Sequence, residues 1–199
     1  MKQTIITLTA LAALMLGGCA RYMTYSDYKL DVQSGDQTAK VTTYDERYGT
    51  VYSFSDELYD MRVQVLLQSI AVEIDNKSDQ TITIPVARIR YTDSNGVESS
   101  VITSSTPIEK RLDTPAPVTV APGQTATLDL VPLKNIRFSK FNGFEREEIF
   151  PDFKTKKALD KDKSKIIGQK VKLTVPILTG DNGQIEKQIS FKVEDIQIK

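Results

Sequence analysis

Residues 63–104 read VQVLLQSIAVEIDNKSDQTITIPVARIRYTDSNGVESSVITS, and the alternation within them sets the expected fold. Ile70, Val72 and Ile74 alternate with Ala71, Glu73 and Asp75, the period of two that gives a strand one buried and one wet face. Asn76-Lys77-Ser78-Asp79 supplies side chains that can satisfy their own backbone in a turn. The apolar series resumes with Ile82, Ile84, Ala87, Ile89 and Tyr91, and changes parity at Pro85. A proline cannot donate to a ladder, so that change marks a bulge or an edge. Asp93-Ser94-Asn95-Gly96 is a hairpin signal, because Asn-Gly accepts the left-handed backbone of a tight turn, and Val97 to Thr103 leaves on a further strand. The pattern predicts consecutive antiparallel strands joined by tight turns.

The flanks extend the same rhythm. Towards the N-terminus, Lys29–Val32, Ala39–Tyr44 and Thr50–Phe54 read as strands separated by turn residues. Ser55, followed by Asp56 and Glu57, has a helix-capping pattern, which predicts one or two helical turns over 55–62. Beyond Thr103 a proline-rich loop leads to Val118 and Val120, a Pro122-Gly123 turn, and Ala126, Leu128 and Leu130. At the C-terminus Val171, Leu173, Val175 and Ile177 pair by pattern with Ile189, Phe191 and Val193 around Gly180–Gly183, and Pro176 puts that strand locally at an edge. The Val118–Leu130 segment resembles a recurring element of immunoglobulin-like sandwiches in extracytoplasmic proteins, where two strands about a Pro-Gly turn cross between sheets. That resemblance implies an all-β fold: an immunoglobulin-like antiparallel β-sandwich over 28–199, with a short helix and one long Phe/Lys-rich insert.

The insert breaks the alternation. Residues 138–167 hold five of the seven phenylalanines, Phe138, Phe141, Phe144, Phe150 and Phe153. Six lysines follow at 154, 156, 157, 161, 163 and 165, with Asp160 and Asp162 between them, so 154–165 carries +6 − 2 = +4. Aromatics beside Lys154, Lys156 and Lys157 suit lipid headgroups or an anionic polymer such as peptidoglycan or lipopolysaccharide. The same residues also suit a loop or short helix that caps the body with its rings and keeps its lysines wet. Seven of the eight tyrosines lie early in the chain, at 22, 25, 28, 44, 48, 52 and 59, and suit either a recognition surface or packing on strand faces.

Composition narrows the chemistry. Lys+Arg 26 balances Asp+Glu 26, which removes the basic surplus that nucleic-acid binding needs. With no histidine, the usual general base, the commonest metal ligand and every His-dependent triad are missing. One cysteine forms no internal disulfide and no zinc cluster. No nucleophile elbow or phosphate loop occurs, and Asp93–Gly96 and Asp181–Gly183 lack the acidic spacing of a calcium loop. The expectation is a non-enzymatic protein with neither cofactor nor metal.

Residues 1–18 supply an address. A charged start at Lys2 precedes an apolar run from about Ile5 to Leu16, which is too short to span a bilayer and has the layout of a secretory signal. Leu16-Gly17-Gly18-Cys19 resembles the lipobox of bacterial lipoprotein precursors. The resemblance implies cleavage before Cys19, acylation of its sulfur, and a lipidated tether over 19–27. The mature chain would then have 199 − 18 = 181 residues. Ala20, in place of aspartate, resembles the outer-membrane sorting pattern and implies attachment at the periplasmic face of the outer membrane. Multiple acyl chains give a firm anchor because each buried CH₂ contributes about 0.8 kcal/mol.

The functional expectation is a membrane-anchored binding or structural module of the cell envelope, whose partner is another envelope protein or an envelope polymer. A second reading is an accessory lipoprotein of a secretion or pilus assembly. A third, an envelope-polymer hydrolase, would draw a carboxylate pair from Glu145, Glu147, Glu148 or Asp152.

Overall fold

In a computed structural model the described residues are 25–43, 49–180 and 183–199. The chain runs through β1 (Ser26–Ser34), β2 (Gln37–Thr38), β3 (Lys40–Thr43), β4 (Thr50–Ser55), β5 (Tyr59–Val65), β6 (Ile70–Asn76), β7 (Ile82–Ile84), β8 (Arg90–Thr92) and β9 (Glu98–Thr103). It continues through β10 (Val118–Val120), β11 (Thr125–Pro132), β12 (Ile136–Ser139), β13 (Gly143–Arg146), α1 (Lys156–Ile166), β14 (Lys170–Leu178) and β15 (Gln184–Ile198). All of these pair antiparallel except α1, the one α-helix among the described residues.

Thirteen strands form a single continuous sheet, ordered β2-β1-β15-β14-β8-β9-β11-β6-β5-β4-β3, with β7 and β10 attached beside β14. The sheet curls until its ends nearly meet, so the body is barrel-like where two separate layers were expected. β9 carries the ladder from one half to the other: it pairs with β8 on one side and β11 on the other. β10 pairs with β7 while β11 pairs with β6, so the Pro122-Gly123 turn does cross between halves, as the Val118–Leu130 pattern implied.

The interior follows the period-two pattern. Met61, Ile70, Val72, Ile74, Ile89, Leu173, Val175, Ile189, Phe191 and Val193 are fully buried in one cluster. In β15 the buried residues are odd-numbered up to Val193 and then shift to Ile196. A bulge explains the shift: Leu30 pairs with Val193 but Lys29 pairs with Asp195, so Glu194 is the extra residue that keeps Ile196 opposite Tyr28. Pro176 fits its edge expectation, because β8 pairs with Lys172–Thr174 and β7 with Leu178, leaving Pro176 paired only with Glu186.

Three local expectations change. Residues 55–62 are not helical: Tyr59, Met61 and Val63 alternate inward on β5, and Asp56 N–H donates to the Tyr59 carbonyl in a turn. Burying three large side chains in register outweighs a capping pattern that only one or two turns would use. Ile70–Asp75 and Ile82–Ile84 are not a hairpin, since β6 pairs with β5 and β11 while β7 belongs to the opposite half. Asn76, fully buried, makes the crossing: its Nδ2 donates to the carbonyls of Gln80 and Val120, and its Oδ1 accepts from Ser78. The parity change at Pro85 is a turn of 3₁₀ helix over Val86–Arg88 rather than a bulge. The Asn95-Gly96 hairpin joins β8 to β9 as expected, with Gly96 at φ +81°.

Candidate functional site

A hollow lies where the curled sheet fails to close. No ladder joins β1 and β2 to β4 across this seam, and hydrogen bonds involving side chains bridge the gap instead. The Leu30 N–H donates to the Tyr52 hydroxyl at 3.3 Å, and Gln37 Nε2 donates to the Ser55 carbonyl at 3.3 Å. Lys187 faces inward on β15 and is almost wholly buried. Its ammonium donates to Gln37 Oε1 at 3.0 Å, lies 3.6 Å from Asp56 and sits over the Phe54 ring. Polar bridges therefore fasten the far part of the seam.

At the other end the seam stays open as a cleft of about 480 Å³, within the range of small-molecule sites. Tyr28 and Leu30 come from β1, Tyr52 from β4, Val65 from β5, and Leu66 and Leu67 from the turn into β6. Phe150 closes the wall by stacking on Tyr28 at 5.1 Å between centroids. The Tyr28 hydroxyl donates to the Pro151 carbonyl, and burial, then the nearby carboxylates of Asp152 and Glu148, push its pKa well above the usual phenol value. Burial likewise raises Tyr52. Both rings thus present neutral phenols to the cleft.

One polar group is built into the mouth. The Asp152 carboxylate accepts the Ser26 N–H at 2.8 Å and pairs with Lys154, while the Phe153 N–H donates to the Ser26 hydroxyl at 2.7 Å. Burial pushes the Asp152 carboxyl up, but the Lys154 ammonium and the Ser26 N–H outweigh it and hold the group below the usual carboxylate range. The clamp ties the start of β1 to the segment after β13. The result is an apolar slot with a fixed anion and an ammonium at one end, suited to an apolar ligand or side chain with a polar terminus.

The residues singled out in the sequence are divided by the structure. Phe150 is a cleft wall, Phe153 is half-buried against the core, and Lys154 stands at the mouth. Lys156 and Lys157 are exposed on the first turn of α1, which Thr155 caps by accepting the Ala158 N–H and which buries Leu159 and Ile166. Phe138 and Phe141 are exposed on the β12–β13 hairpin, and Phe144 on the same hairpin lies under the Arg111 guanidinium at 4.1 Å. The candidate carboxylates are occupied in pairs and bonds: Glu147 with Arg137, Glu145 with Asn142, and Glu148 with the Asp152 N–H. Cys19, Leu16, Gly17, Gly18, Tyr22, Tyr44 and Tyr48 lie outside the described residues. Tyr25, Tyr28 and Tyr52 of the early tyrosine group line the cleft, whereas Leu30, Leu66 and Leu67 were not singled out for it. The one available signal was Leu66-Leu67 at a strand-to-strand turn, where polar residues are the rule.

Among the described residues no group of carboxylate, cysteine or histidine side chains is arranged to hold a metal, and no helix is long and apolar enough to cross a membrane. No protein-family model matches the chain, and no curated protein matches it. Among solved structures it is similar to an X-ray structure of Northeast Structural Genomics Consortium target SoR45, at 9% identity over 89% of this chain and 85% of that one. The TM-score is 0.27, too low to bear on fold or function.

Proposed function

We propose that the chain is a lipoprotein moored through acylated Cys19 at the periplasmic face of the outer membrane, where it acts as a non-enzymatic binding module of the cell envelope. The seam cleft is its recognition site. The observation that carries this reading is the cleft's placement beside the first strand. Tyr25 lines the cleft, and Ser26 stands only seven positions after Cys19, about 25 Å of fully extended chain. A lipid on Cys19 would hold the mouth close to the membrane surface. An immunoglobulin-like plan for the body belongs to the same proposal, and the crossing of β10 and β11 between the two halves supports it.

Cell labelling with a fatty acid tests the mooring. Label enters the native chain and is absent from Cys19→Ser, which fractionates away from the outer membrane. Equal labelling of the two proteins refutes the anchor.

A further inference from the structure

Several of the large apolar side chains left in water gather around the cleft and the β12–β13 hairpin. Of the eight that are exposed among the described residues, Tyr25 and Leu67 line the cleft where β1 begins and β5 turns into β6, Phe138 and Phe141 lie on the β12–β13 hairpin, and Leu112 follows Arg111, which covers Phe144 of that hairpin. The hairpin has no ladder partner besides itself. Gln68 Nε2, in the β5–β6 turn, donates to the Arg146 carbonyl at its base, and Arg146 donates to the Ser104 carbonyl after β9. Arg111, next to Leu112, covers one face of Phe144, and Phe138 and Phe144 pack in a T-shaped pair with centroids 5.3 Å apart. At the tip the Ser139 hydroxyl accepts the N–H groups of Phe141 and Asn142, and Gly143 takes φ +75°. The turn is therefore ordered, and it holds Phe141 at 97% exposure and Phe138 at 69%.

We propose that the hairpin end of the body rests on a phospholipid bilayer, with Phe138, Phe141 and Leu112 inserted at the headgroup level as a second attachment beside the lipid on Cys19. The inference rests on that anchor. Tyr25 belongs to the exposed group and stands six residues after Cys19, so the mooring would keep this end within about 20 Å of the membrane. Aromatic side chains favour the interface between hydrocarbon and water, and neighbouring Arg137 and Lys140 have stems long enough to keep their charges in the headgroups. Over residues 136–148 three basic groups, Arg137, Lys140 and Arg146, balance three acidic ones, Glu145, Glu147 and Glu148. Insertion is thus apolar in origin, independent of anionic lipid and insensitive to salt. Two weak attachments at one end fix an orientation that a flexible tether alone does not, and they turn the cleft mouth towards the lipid surface.

The chain contains no tryptophan, so one introduced residue reports alone. The lipidated full-length protein carrying Phe141→Trp, and separately Leu112→Trp, is placed in phosphatidylcholine vesicles whose acyl chains are brominated. Ala121→Trp, in the β10–β11 turn at the opposite end, is the reference. Both positions at the proposed face lose most of their emission to bromine and are shielded from aqueous iodide, with no change in high salt, whereas the reference shows the reverse. Emission at 141 and 112 that iodide quenches and bromine does not overturns the proposal. Shielding from iodide without quenching by bromine would mean that a second copy covers the hairpin, and overturns it equally. Intact-mass measurement of the same sample separates the two readings: an unmodified Cys19 refutes the anchor, while an acylated chain with its hairpin in water refutes only the second attachment.

Discussion

Replacing Asn76 by alanine tests the crossing that converts two halves of a sheet into one body. The side chain is fully buried and donates to the Val120 carbonyl at 2.8 Å and the Gln80 carbonyl at 2.7 Å, holding the β6–β7 connection against the start of the β10–β11 turn. Alanine takes the Asn76 donor from the buried Val120 carbonyl, a loss of about 1–3 kcal/mol, and from the half-buried Gln80 carbonyl, which still accepts from the Ser78 hydroxyl, about 1 kcal/mol more. The sum, about 3 kcal/mol, is a large fraction of the ~5–15 kcal/mol that holds a domain together. With a urea slope of about 2 kcal/mol/M, the unfolding midpoint falls by about 1.5 M, with the slope itself unchanged. Asn76→Asp, the same shape without a donor, is at least as damaging. Ser78→Ala removes only the hydroxyl, leaves the residue-78 backbone N–H on the Asn76 Oδ1, orphans no buried carbonyl, and lowers stability by about 1 kcal/mol or less. A midpoint shift for Asn76→Ala no larger than that of Ser78→Ala would refute the reasoning.

Further outcomes follow from the seam and the turns. Lys187→Met keeps the packing against Phe54 and removes a buried ammonium, so stability changes by less than about 1 kcal/mol, whereas Lys187→Ala costs about 2–3 kcal/mol in equilibrium unfolding. Burial pushes the Asp93 carboxyl up, but Lys134 and the N–H groups of Val97 and Asn95 outweigh it and hold it below the usual range. A depressed folded pKa contributes stability in full above the unfolded value, about 3.9, and that stability is lost as pH falls through the folded value. Asp93→Asn therefore lowers stability at pH 7 and flattens its decline below pH ~4 in acid titrations followed by circular dichroism. Gly96→Ala, at φ +81°, costs about 1–2 kcal/mol in thermal or urea unfolding.

Sequence periodicity carried the strands far better than it carried their partners. Alternation at Ile70–Ile74, Val171–Ile177 and Ile189–Val193 located β6, β14 and β15 because each buries one face, and burial on one face is what alternation encodes. The same signal says nothing about which strand lies alongside, so β6 and β7 looked like a hairpin until Asn76 placed them in opposite halves. Residues 55–62 misled because a short acidic stretch after a serine serves a turn as well as a helix start. The insert illustrates a related limit. Its phenylalanines were visible as a cluster, but whether a ring goes inward depends on tertiary position: Phe150 stacks on Tyr28, more than 100 residues earlier in sequence, while Phe141 stays in water. The cleft was hidden for the same reason, being assembled from β1, β4, the β5–β6 turn and the segment around Phe150, which only sheet closure brings together.

The central claim is a recognition slot at an unclosed seam, held beside the membrane. It is tested most directly by a photo-crosslinking amino acid placed at Leu67, on the lip of the cleft, in cells that produce the full-length protein. The account predicts one discrete envelope adduct from that position and none from the same probe at Ala121. No adduct from Leu67, or the same pattern from both positions, would contradict it.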